Sequence, residues 1–279
     1  MNILITGASG FIGSHVLKAL LNSDHSVTAC MYHSEITEAC KIFKVDYMQM
    51  QHVKDWLPLL QDIDVVINCV GIIAESSQVK FNVMHHLAPI ALFEACQQHC
   101  IKKVIQVSSL GADDSAIVPY HKTKKLADDY LIQSTLDYLV LKPSLVYGQD
   151  GESYHFFKRL SNLPVIPIIG KGQQLIQPVH IDILVNAITT YLNSNTNGKM
   201  AIDVVGPKDM SYQHWMQSLR TKKSKYYFLS IPFKLMMFIA KIAKFFGSKL
   251  LSPDNLTMLM QNSTADVTPL QKFLSEEKK

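Results

Sequence analysis

The segment Asn2-Ile3-Leu4-Ile5-Thr6-Gly7-Ala8-Ser9-Gly10-Phe11-Ile12-Gly13 leads from an apolar run through a glycine-rich turn into an amphipathic stretch. The run predicts a buried strand, and the stretch predicts a helix over residues 11–21. Gly7 permits a tight turn, Gly10 lets the backbone approach a pyrophosphate, and Gly13 lets the helix pack closely on the strand. Peptide N–H groups at the start of a helix favour phosphate. Three glycines alone are a weak signal, but their place between a strand and a helix predicts a nucleotide-binding turn.

Short apolar runs alternate with amphipathic stretches through the first 205 residues. The runs are apolar at nearly every position, which is typical of parallel strands that helices cover on both faces. The predicted fold class is therefore α/β, a doubly wound Rossmann-type parallel sheet. Strands are predicted over residues 2–6, 26–32, 41–46, 64–69, 103–108, 137–142 and 200–205, and helices over residues 11–21, 78–99, 120–134 and 181–192.

Two segments depart from this alternation. Residues 150–174 contain prolines and glycines and are predicted to form an irregular excursion. Residues 206–279 show a mostly helical pattern with basic clusters. We expect an NAD(P)-type dinucleotide-binding domain over residues 1–205 and a small, mostly helical C-terminal substrate lobe over residues 206–279.

The composition bounds the class of protein. The chain has 279 residues, 48% hydrophobic and 18% charged, so it can bury a full core, and disorder is excluded. Its five scattered cysteines argue against a disulfide framework and for a reducing compartment. Cys96, His99 and Cys100 lack a second ligand pair, so no metal site is predicted. The first residues run straight into strand pattern, and no apolar stretch is long enough to span a bilayer, so we expect a cytoplasmic protein.

Charge is distributed unevenly along the chain. Residues 1–120 carry a net charge of −4 and residues 121–279 a net charge of +8. Only two of the 27 basic residues are arginines, which argues against nucleic acid as a partner, because base readout depends on bidentate arginine contacts. The basic half suits an anionic small molecule or a membrane surface. The plainer alternative is a lysine-rich solvated surface.

Tyrosine and lysine four residues apart form a second candidate motif. On a helix this spacing puts both side chains on one face, and a nearby ammonium lowers the pKa of a phenol, which makes it usable as an acid or base. About one such pair is expected by chance, and the chain has three, Tyr120/Lys124, Tyr138/Lys142 and Tyr154/Lys158. The second lies on a predicted strand and the third follows the sixth strand. Only the first pair opens the helix between the fifth and sixth strands, so it is the candidate.

The order of these motifs resembles the extended or atypical short-chain dehydrogenase/reductase family, which is NAD-dependent epimerase/dehydratase-like, over essentially the whole chain. The subgroup most similar in style contains the nucleotide-binding accessory subunit of respiratory complex I. The matching pieces after the glycine turn are Asn68-Cys69-Val70-Gly71, Val107-Ser108-Ser109-Leu110-Gly111-Ala112-Asp113, the Tyr120/Lys124 pair, Lys142-Pro143-Ser144-Leu145-Val146-Tyr147-Gly148 and Gln177-Pro178-Val179-His180-Ile181-Asp182.

The resemblance implies roles for individual residues. Ser109 would hydrogen-bond a substrate carbonyl or hydroxyl, Tyr120 would exchange the proton, and Lys124 would lower the Tyr120 pKa and hold the nicotinamide ribose. Asn82 matches a family asparagine that helps to order the site; its alternative is a polar residue on a core helix. The predicted cofactor-binding residues are Thr6, Gly7, Ser9, Gly10, Phe11, Ile12, Gly13, His33, Asp46, Cys69, Val70, Gly71, Asn82, Val107, Lys124, Pro143 and Val146.

The end of the second predicted strand bears on the choice between NAD and NADP. NAD-binding folds usually place Asp or Glu there to bind the ribose 2′-hydroxyl, but the chain has Cys30-Met31-Tyr32-His33-Ser34, with no acid before Glu35. The missing acid removes a repulsion against a 2′-phosphate and slightly favours NADP. Asp46, after the third strand, is placed either to meet the adenine or simply to form a turn.

These residues predict an oxidoreductase that moves a hydride between the nicotinamide and a carbonyl or alcohol of a small, hydrophobic or anionic substrate. Epimerase and dehydratase chemistry and the oligomeric state stay open. The connection from Ser109 to Tyr120 is only eleven residues, which leaves little room for an active-site loop. The alternative function is a non-catalytic NAD(P)-binding accessory or redox-sensing protein.

Residues 232–246 form a basic amphipathic stretch. Three lysines share one predicted helical face, and five apolar residues share the other. Such a helix can make peripheral contact with the inner face of a membrane, or it can cover a substrate pocket, and the second interpretation is favoured. The lysines are Lys234, Lys241 and Lys244, and the apolar residues are Phe233, Met236, Met237, Ala240 and Ala243.

Overall fold

The computed structural model describes residues 1–32, 40–194 and 198–275. Its strands are β1 (Asn2–Thr6), β2 (Ser26–Met31), β3 (Lys41–Lys44), β4 (Val65–Asn68), β5 (Lys103–Val107), β6 (Tyr138–Pro143), β7 (Val146–Tyr147), β8 (Val165–Ile169), β9 (Leu175–Ile176), β10 (Val179–His180), β11 (Lys199–Val204), β12 (Met210–Ser211) and β13 (Tyr227–Ile231). Its α-helices are α1 (Phe11–Leu21), α2 (Val53–Trp56), α3 (Ala88–Gln98), α4 (Pro119–Gln133), α5 (Glu152–Ser161), α6 (Ile181–Asn193), α7 (Tyr212–Ser218), α8 (Phe233–Phe245), α9 (Pro253–Met260) and α10 (Thr268–Ser275).

The central sheet has seven strands, all parallel, in the order β3-β2-β1-β4-β5-β6-β11. The predicted α/β class and doubly wound topology are confirmed. The chain builds outward from β1 to β3 on one side and then continues from β4 on the other side, so the switch point lies between β1 and β4. Ligands of such sheets bind there, beyond the carboxyl ends of the strands. Thr6 is in register with both Cys30 and Asn68, which brings the ends of three strands to one level.

Side-chain alternation divides the core into two layers. Ile3 and Ile5 of β1 pack in the layer that α1, α6 and α10 cover, whereas Leu4 packs in the layer that α2, α3 and α4 cover. Each fully buried aliphatic side chain contributes about 1.5–3 kcal/mol of burial free energy. Because helices cover both faces, no strand face needs polar residues, and this explains the uniformly apolar runs in the sequence.

The C-terminal lobe has its own core and uses two segments of chain. Ile166 and Ile168 of β8 pack against Trp215 and Met216 of α7, and β8 pairs in parallel with β13. The segment 150–174 is therefore more regular than predicted, since it holds α5 and β8. Only every second residue of β8 hydrogen-bonds to β13; the Gly170 N–H, for example, donates to the Ile231 carbonyl. Pro167 falls between these residues, so its nitrogen points away from β13 and the proline is tolerated.

The hydrophobic clusters cross the predicted boundary at residue 205 in both directions. The segment that holds α5 and β8 packs with the lobe. At the other end of the chain, α10 returns to the sheet, where Leu270 and Phe273 are buried in the layer of α1 and α6. Residues before 205 therefore contribute to the core of the lobe, and residues after 205 contribute to the core of the sheet.

Candidate active site

The glycine-rich turn joins β1 to α1 at the switch point. Gly7 has a φ of +68°, and a Cβ on it would lie 2.8 Å from the Cys69 carbonyl carbon. A Cβ on Gly13 would lie 2.1 Å from the Gly7 oxygen. Both glycines are therefore required by the packing of the turn itself. A Cβ on Gly10 would meet the Gly7 oxygen at 3.3 Å and nothing closer, so packing does not require this glycine, and it leaves open space above the turn.

The N-terminus of α1 borders that open space. Ser9 and Gly10 are exposed, and the described first turn of α1 carries neither a side-chain cap nor an acidic residue. The first N–H groups of a helix have no partner within the helix, and its dipole adds positive potential. Phe11 and Ile12, both partly buried, pack against the sheet core. The turn therefore presents peptide N–H groups to an anion.

Tyr47 supports the turn from below, and the sequence patterns do not single it out. Its hydroxyl donates to the Cys30 carbonyl and accepts the Gly7 N–H, both at 2.8 Å. Burial raises the pKa of the phenol, so the hydroxyl keeps its proton. The neighbouring Asp46 is exposed, and its carboxylate accepts the Met48 N–H. Of the two predicted roles of Asp46, contact with the adenine or formation of a turn, this hydrogen bond corresponds to the turn.

Buried polar side chains connect the ends of β1, β4 and β5. The Thr6 hydroxyl donates to Asn68 at 2.6 Å, and the Asn68 amide donates to Gln106 at 2.7 Å. The Thr6 side chain, predicted to bind the cofactor, is fully buried and engaged in this row. Asn68 also accepts the Val70 N–H at 3.3 Å, which fixes the start of the segment after β4.

Lys124 of α4 is buried beneath the ends of β4 and β5, with 3% of its surface exposed. Its ammonium donates to the Val70 carbonyl at 3.2 Å and to the Val107 carbonyl at 2.9 Å. A Cβ on Gly71 would lie 3.2 Å from Lys124 Nζ, so the glycine allows the backbone after β4 to pass close to the ammonium. Burial lowers the Lys124 pKa to about 8, and the charge of Asp128 opposes the shift. The ammonium form therefore still predominates at pH 7.

Ser109 and Tyr120 come together where α4 begins. The Ser109 side chain lies close enough to the Tyr120 phenol to favour its ionised form, and the Ser109 hydroxyl donates to the Leu110 carbonyl at 3.3 Å. Ser108 instead donates to Asp128. The two serines thus point to opposite sides of the strand end, and the one predicted to be catalytic lies on the side of the predicted proton-exchanging tyrosine.

The pKa of Tyr120 differs from the prediction. The resemblance implies that Lys124 lowers this pKa, but burial raises it above its ordinary value. The rings of Phe81, His85 and His121 pack edge-on against the phenol, with centroids 5.2–5.8 Å away, and leave Tyr120 only partly exposed. The Lys124 ammonium is meanwhile engaged by two backbone carbonyls. Tyr120 is therefore a protonated phenol at neutral pH.

Asn82, which the resemblance assigns to the site, lies in one helical segment with the buried His85. Asn82 is exposed, and its amide oxygen bonds His86 Nδ1 at 2.9 Å, so it does not reach the site. His85 is fully buried, and its Nε2 accepts the Ile72 N–H at 3.0 Å. Burial lowers the His85 pKa well below its usual value and keeps the ring neutral. Asn82–Leu87 form a π-helical turn, in which Met84 and His85 are the buried residues.

Asp128 is a buried carboxyl one turn after Lys124, and the sequence patterns do not single it out. It is 1% exposed; one oxygen accepts the Ser108 hydroxyl, and the other has no hydrogen-bond partner within the described residues. Burial raises the Asp128 pKa to about 6, against the pull of the Ser108 hydrogen bond and the Lys124 charge. At pH 7 an ionised carboxylate thus lies beneath the site and partly balances the ammonium.

The remaining predicted residues are placed as follows. The Pro143 carbonyl accepts the Leu110 N–H at 2.8 Å, which holds the ends of β5 and β6 together. Val146 pairs with Val179 and packs against the sheet core. His33 lies outside the described residues.

These residues fit a dinucleotide. Open space above Gly10 and the N–H groups of α1 suit a pyrophosphate, whereas Ser109, Tyr120 and Lys124 lie on the other side of the switch point. The fold and the site together define a doubly wound dinucleotide-binding protein. A family model described as NAD(P)H-binding matches residues 7–164, more than half of the chain, so the chain belongs to this NAD(P)H-binding family.

Curated relatives are distant in sequence. The chain is 22% identical over 183 residues to a ceramide reductase of Caulobacter vibrioides, with 64% of this chain and 57% of the relative covered. It is 22% identical over 263 residues to NADH dehydrogenase (ubiquinone) 1 alpha subcomplex subunit 9, mitochondrial, of Arabidopsis thaliana, with 89% and 65% covered. It therefore spans less than two thirds of the length of these two relatives. An epimerase family protein of Staphylococcus saprophyticus is 24% identical over 216 residues, with 69% and 71% covered.

Solved structures share the fold. UDP-glucuronic acid 4-epimerase from Bacillus cereus, in complex with NAD, superposes with a TM-score of 0.68 at 22% identity, covering 98% of this chain and 99% of that chain. The resemblance to the epimerase-like short-chain dehydrogenase/reductase group and to the complex I subunit is thus confirmed.

Proposed function

We propose that this protein is an NAD(P)-dependent oxidoreductase of the short-chain dehydrogenase/reductase type that reduces a carbonyl group of a hydrophobic or anionic small molecule. The observation that carries the proposal is the proximity of Ser109 to the Tyr120 phenol at the strand edge where Lys124 is buried. A hydroxyl pair of this kind can hold and protonate one oxygen atom. The reductase names of two relatives, the ceramide reductase and a probable low-salt glycan biosynthesis reductase of Haloferax volcanii, support the reductive direction.

Each residue has a distinct task in this proposal. A bound nicotinamide would supply the hydride that forms the new C–H bond. Ser109 hydrogen-bonds the carbonyl oxygen, and Tyr120 transfers its phenolic proton to that oxygen as negative charge develops, after which the phenolate takes a proton from solvent. Tyr120 keeps its proton at neutral pH, as a proton donor must. Lys124 binds the nicotinamide ribose, and the N–H groups of α1 bind the pyrophosphate.

For the cofactor we propose NADP in preference to NAD. The support is the absence of an acid in the sequence between the second predicted strand and Glu35. NADPH is therefore expected to bind at least as tightly as NADH in fluorescence titrations of the full chain. A preference for NADH of roughly 100-fold, about 2.7 kcal/mol, would contradict the proposal. We also propose a cytoplasmic location, which agrees with the five free cysteines.

A second candidate function is a non-catalytic NAD(P)-binding accessory or redox-sensing protein. Two observations favour it: the Lys124 ammonium is tied to the Val70 and Val107 carbonyls, and burial raises the Tyr120 pKa instead of lowering it. The similarity to complex I subunit 9 agrees with this candidate. In that case Tyr120 and Lys124 would contribute to cofactor binding alone.

Tyr120→Phe distinguishes the two candidates. A panel of hydrophobic ketones, aldehydes and quinones is screened with NADPH and NADH, and turnover is expected to fall about 100-fold or more in this variant, because the proton donor is lost while the ring remains. Cofactor affinity should barely change. Lys124→Met should reduce both turnover and affinity.

Tyr154→Phe is the matched control, since Tyr154 also has a lysine four residues later but lies in the lobe, where Lys158 covers its ring at 5.4 Å. Turnover of this control is expected to equal that of the wild type. A wild-type protein that binds the cofactor but reduces no member of the panel, with a Tyr120→Phe variant that equals it in cellular assays, would favour the accessory function.

A further inference from the structure

Helix α8 has an apolar face that packs on the lobe. Phe233, Met236, Met237 and Ala240 cluster with Ile169 of β8 and with the residues of α9 and the loop before it. These four residues belong to the apolar face predicted from the sequence. This packing orients the helix and leaves the opposite side free of contacts within the lobe core.

The opposite side of α8 is also apolar. Six large hydrophobic residues recur there at spacings of three and four, so they form one continuous stripe. Their exposed fractions range from 37% to 86%, with the two aromatic rings at the C-terminus the most exposed. Contiguous exposed apolar area of this kind marks a binding surface. The residues of the stripe are Leu235, Phe238, Ile239, Ile242, Phe245 and Phe246.

The exposed surface continues onto the β8–β13 ribbon. Val165, Tyr227 and Leu229 are 46%, 70% and 52% exposed, and the register pairs Tyr227 with Val165, so these residues share one face. Ile169 lies on the same face of β8 by alternation, four residues after Val165, and it packs on α8. Helix and ribbon therefore present their apolar residues on the same side of the lobe.

Basic residues accompany this surface. In the sequence from 206 to 250, nine lysines and arginines accompany a single acid, Asp209. Lys234, Lys241 and Lys244 of α8 are exposed, as are the lysines of the loop before β13. A positively charged rim repels a second copy of the same surface, whereas it attracts anionic lipid headgroups, each nearby lysine contributing about 1 kcal/mol.

We propose that the α8 stripe and the exposed face of the β8–β13 ribbon dock on an anionic lipid bilayer, with α8 lying in the plane of the interface. In residues 1–32, 40–194 and 198–275 there is no helix that meets the length and hydropathy of a membrane span. The 13 residues of α8 extend about 20 Å. A helix with apolar and basic faces inserts about 5–10 Å into the headgroup and acyl boundary. This proposal is independent of the proposed function.

Vesicle flotation of the full chain tests the proposal. Vesicles of phosphatidylcholine with about one third phosphatidylserine are compared with pure phosphatidylcholine vesicles. We expect binding to the anionic vesicles that weakens as salt is raised and is at least tenfold weaker on the neutral ones. The double variant Phe245→Ser/Phe246→Ser should weaken binding by at least tenfold, because two exposed rings no longer insert. Lys234→Gln/Lys241→Gln/Lys244→Gln should weaken it by about 100-fold.

Ile117→Ser is the matched control, since Ile117 is 64% exposed but lies outside the surface. It should bind vesicles as the wild type does, and circular dichroism and thermal unfolding should show that every variant is folded. Equal binding to neutral vesicles, no binding to anionic vesicles, or wild-type binding by Phe245→Ser/Phe246→Ser would each overturn the proposal. A concentration-dependent dimer in ultracentrifugation that the double variant abolishes would show that a second copy covers the surface and would overturn it as well.

Discussion

The glycine-rich turn and the Ser109–Tyr120–Lys124 cluster lie on opposite sides of one switch point and are built in opposite ways. The turn requires the absence of side chains, since a Cβ on Gly7 or Gly13 would overlap neighbouring backbone atoms. The cluster depends on burial, because burial lowers the pKa of Lys124 and raises the pKa of Tyr120. A change in the turn therefore acts by steric overlap, and a change in the cluster acts by charge and protonation.

The two regions also differ in how far apart their parts are in the sequence. The turn is contained almost entirely in residues 6–13, so local spacing describes it. The cluster joins carbonyls and side chains from three elements, and Lys124 reaches the Val70 carbonyl across 54 residues. Its chemistry depends on which groups the fold brings together, and the pKa values follow from that assembly.

The largest expected effects separate folding from binding within the turn. Gly13→Val should prevent folding or cost several kcal/mol of unfolding free energy, because its Cβ would lie 2.1 Å from the Gly7 oxygen.

Gly10→Val should keep a thermal midpoint near the wild type, since its Cβ has only one neighbour, at 3.3 Å. It should nevertheless weaken NAD(P)H binding by at least about 100-fold, or 2.7 kcal/mol, because the valine fills the pyrophosphate space. Cofactor titration and thermal unfolding measure both effects, and unchanged affinity in Gly10→Val would refute the assignment of the turn.

Next in size is the pH dependence from Asp128. Its pKa is raised to about 6 in the folded state and is about 3.9 when unfolded. Between these values the folded state holds the extra proton, so this group lowers the free energy of unfolding as pH rises from about 4 to 6, by about 3 kcal/mol at most. Asp128→Asn removes this contribution, and its stability relative to the wild type should rise across that window in urea unfolding.

The control for this pH series is Asp129→Asn, which removes one negative charge at the adjacent, 40% exposed side chain that pairs with Lys125. A rise confined to Asp128→Asn assigns the effect to burial. If both variants gave the same pH profile, overall charge would explain the effect, and the assignment of the raised Asp128 pKa to burial would be wrong.

A smaller effect tests the hydrogen bonds of Tyr47 beneath the turn. Tyr47→Phe leaves the Gly7 N–H without its partner, while the Cys30 carbonyl still accepts the Ala8 N–H, and it should cost about 2 kcal/mol of unfolding free energy. It should also weaken cofactor binding, because the Gly7 peptide is less firmly held. Tyr130→Phe is the control, since it removes one partly buried hydrogen bond, to Gln97, far from the turn. Equal costs in the two variants would show that Tyr47 has no special role.

Much of the fold could be predicted because its signals are local. The seven predicted strands match the strands of the central sheet to within two residues at either end. Prediction failed where a tertiary contact outweighed the local pattern. Prolines and glycines suggested an irregular segment at 150–174, yet β8 forms because β13 pairs with it. The sequence did not predict the π-helical turn over Asn82–Leu87, in which His85 is buried and Asn82 is exposed.

The amino-acid pattern alone determined the doubly wound class, the glycine turn and the Tyr120/Lys124 spacing, because strand and helix periodicity and the lack of a side chain are properties of neighbouring residues. Tertiary structure set the raised pKa of Tyr120, the burial of Asp128 and the support of Gly7 by Tyr47. It also set which of the two apolar faces of α8 is covered. Burial and long-range hydrogen bonds depend on which distant segments come together, and residue spacing along the chain does not contain that information.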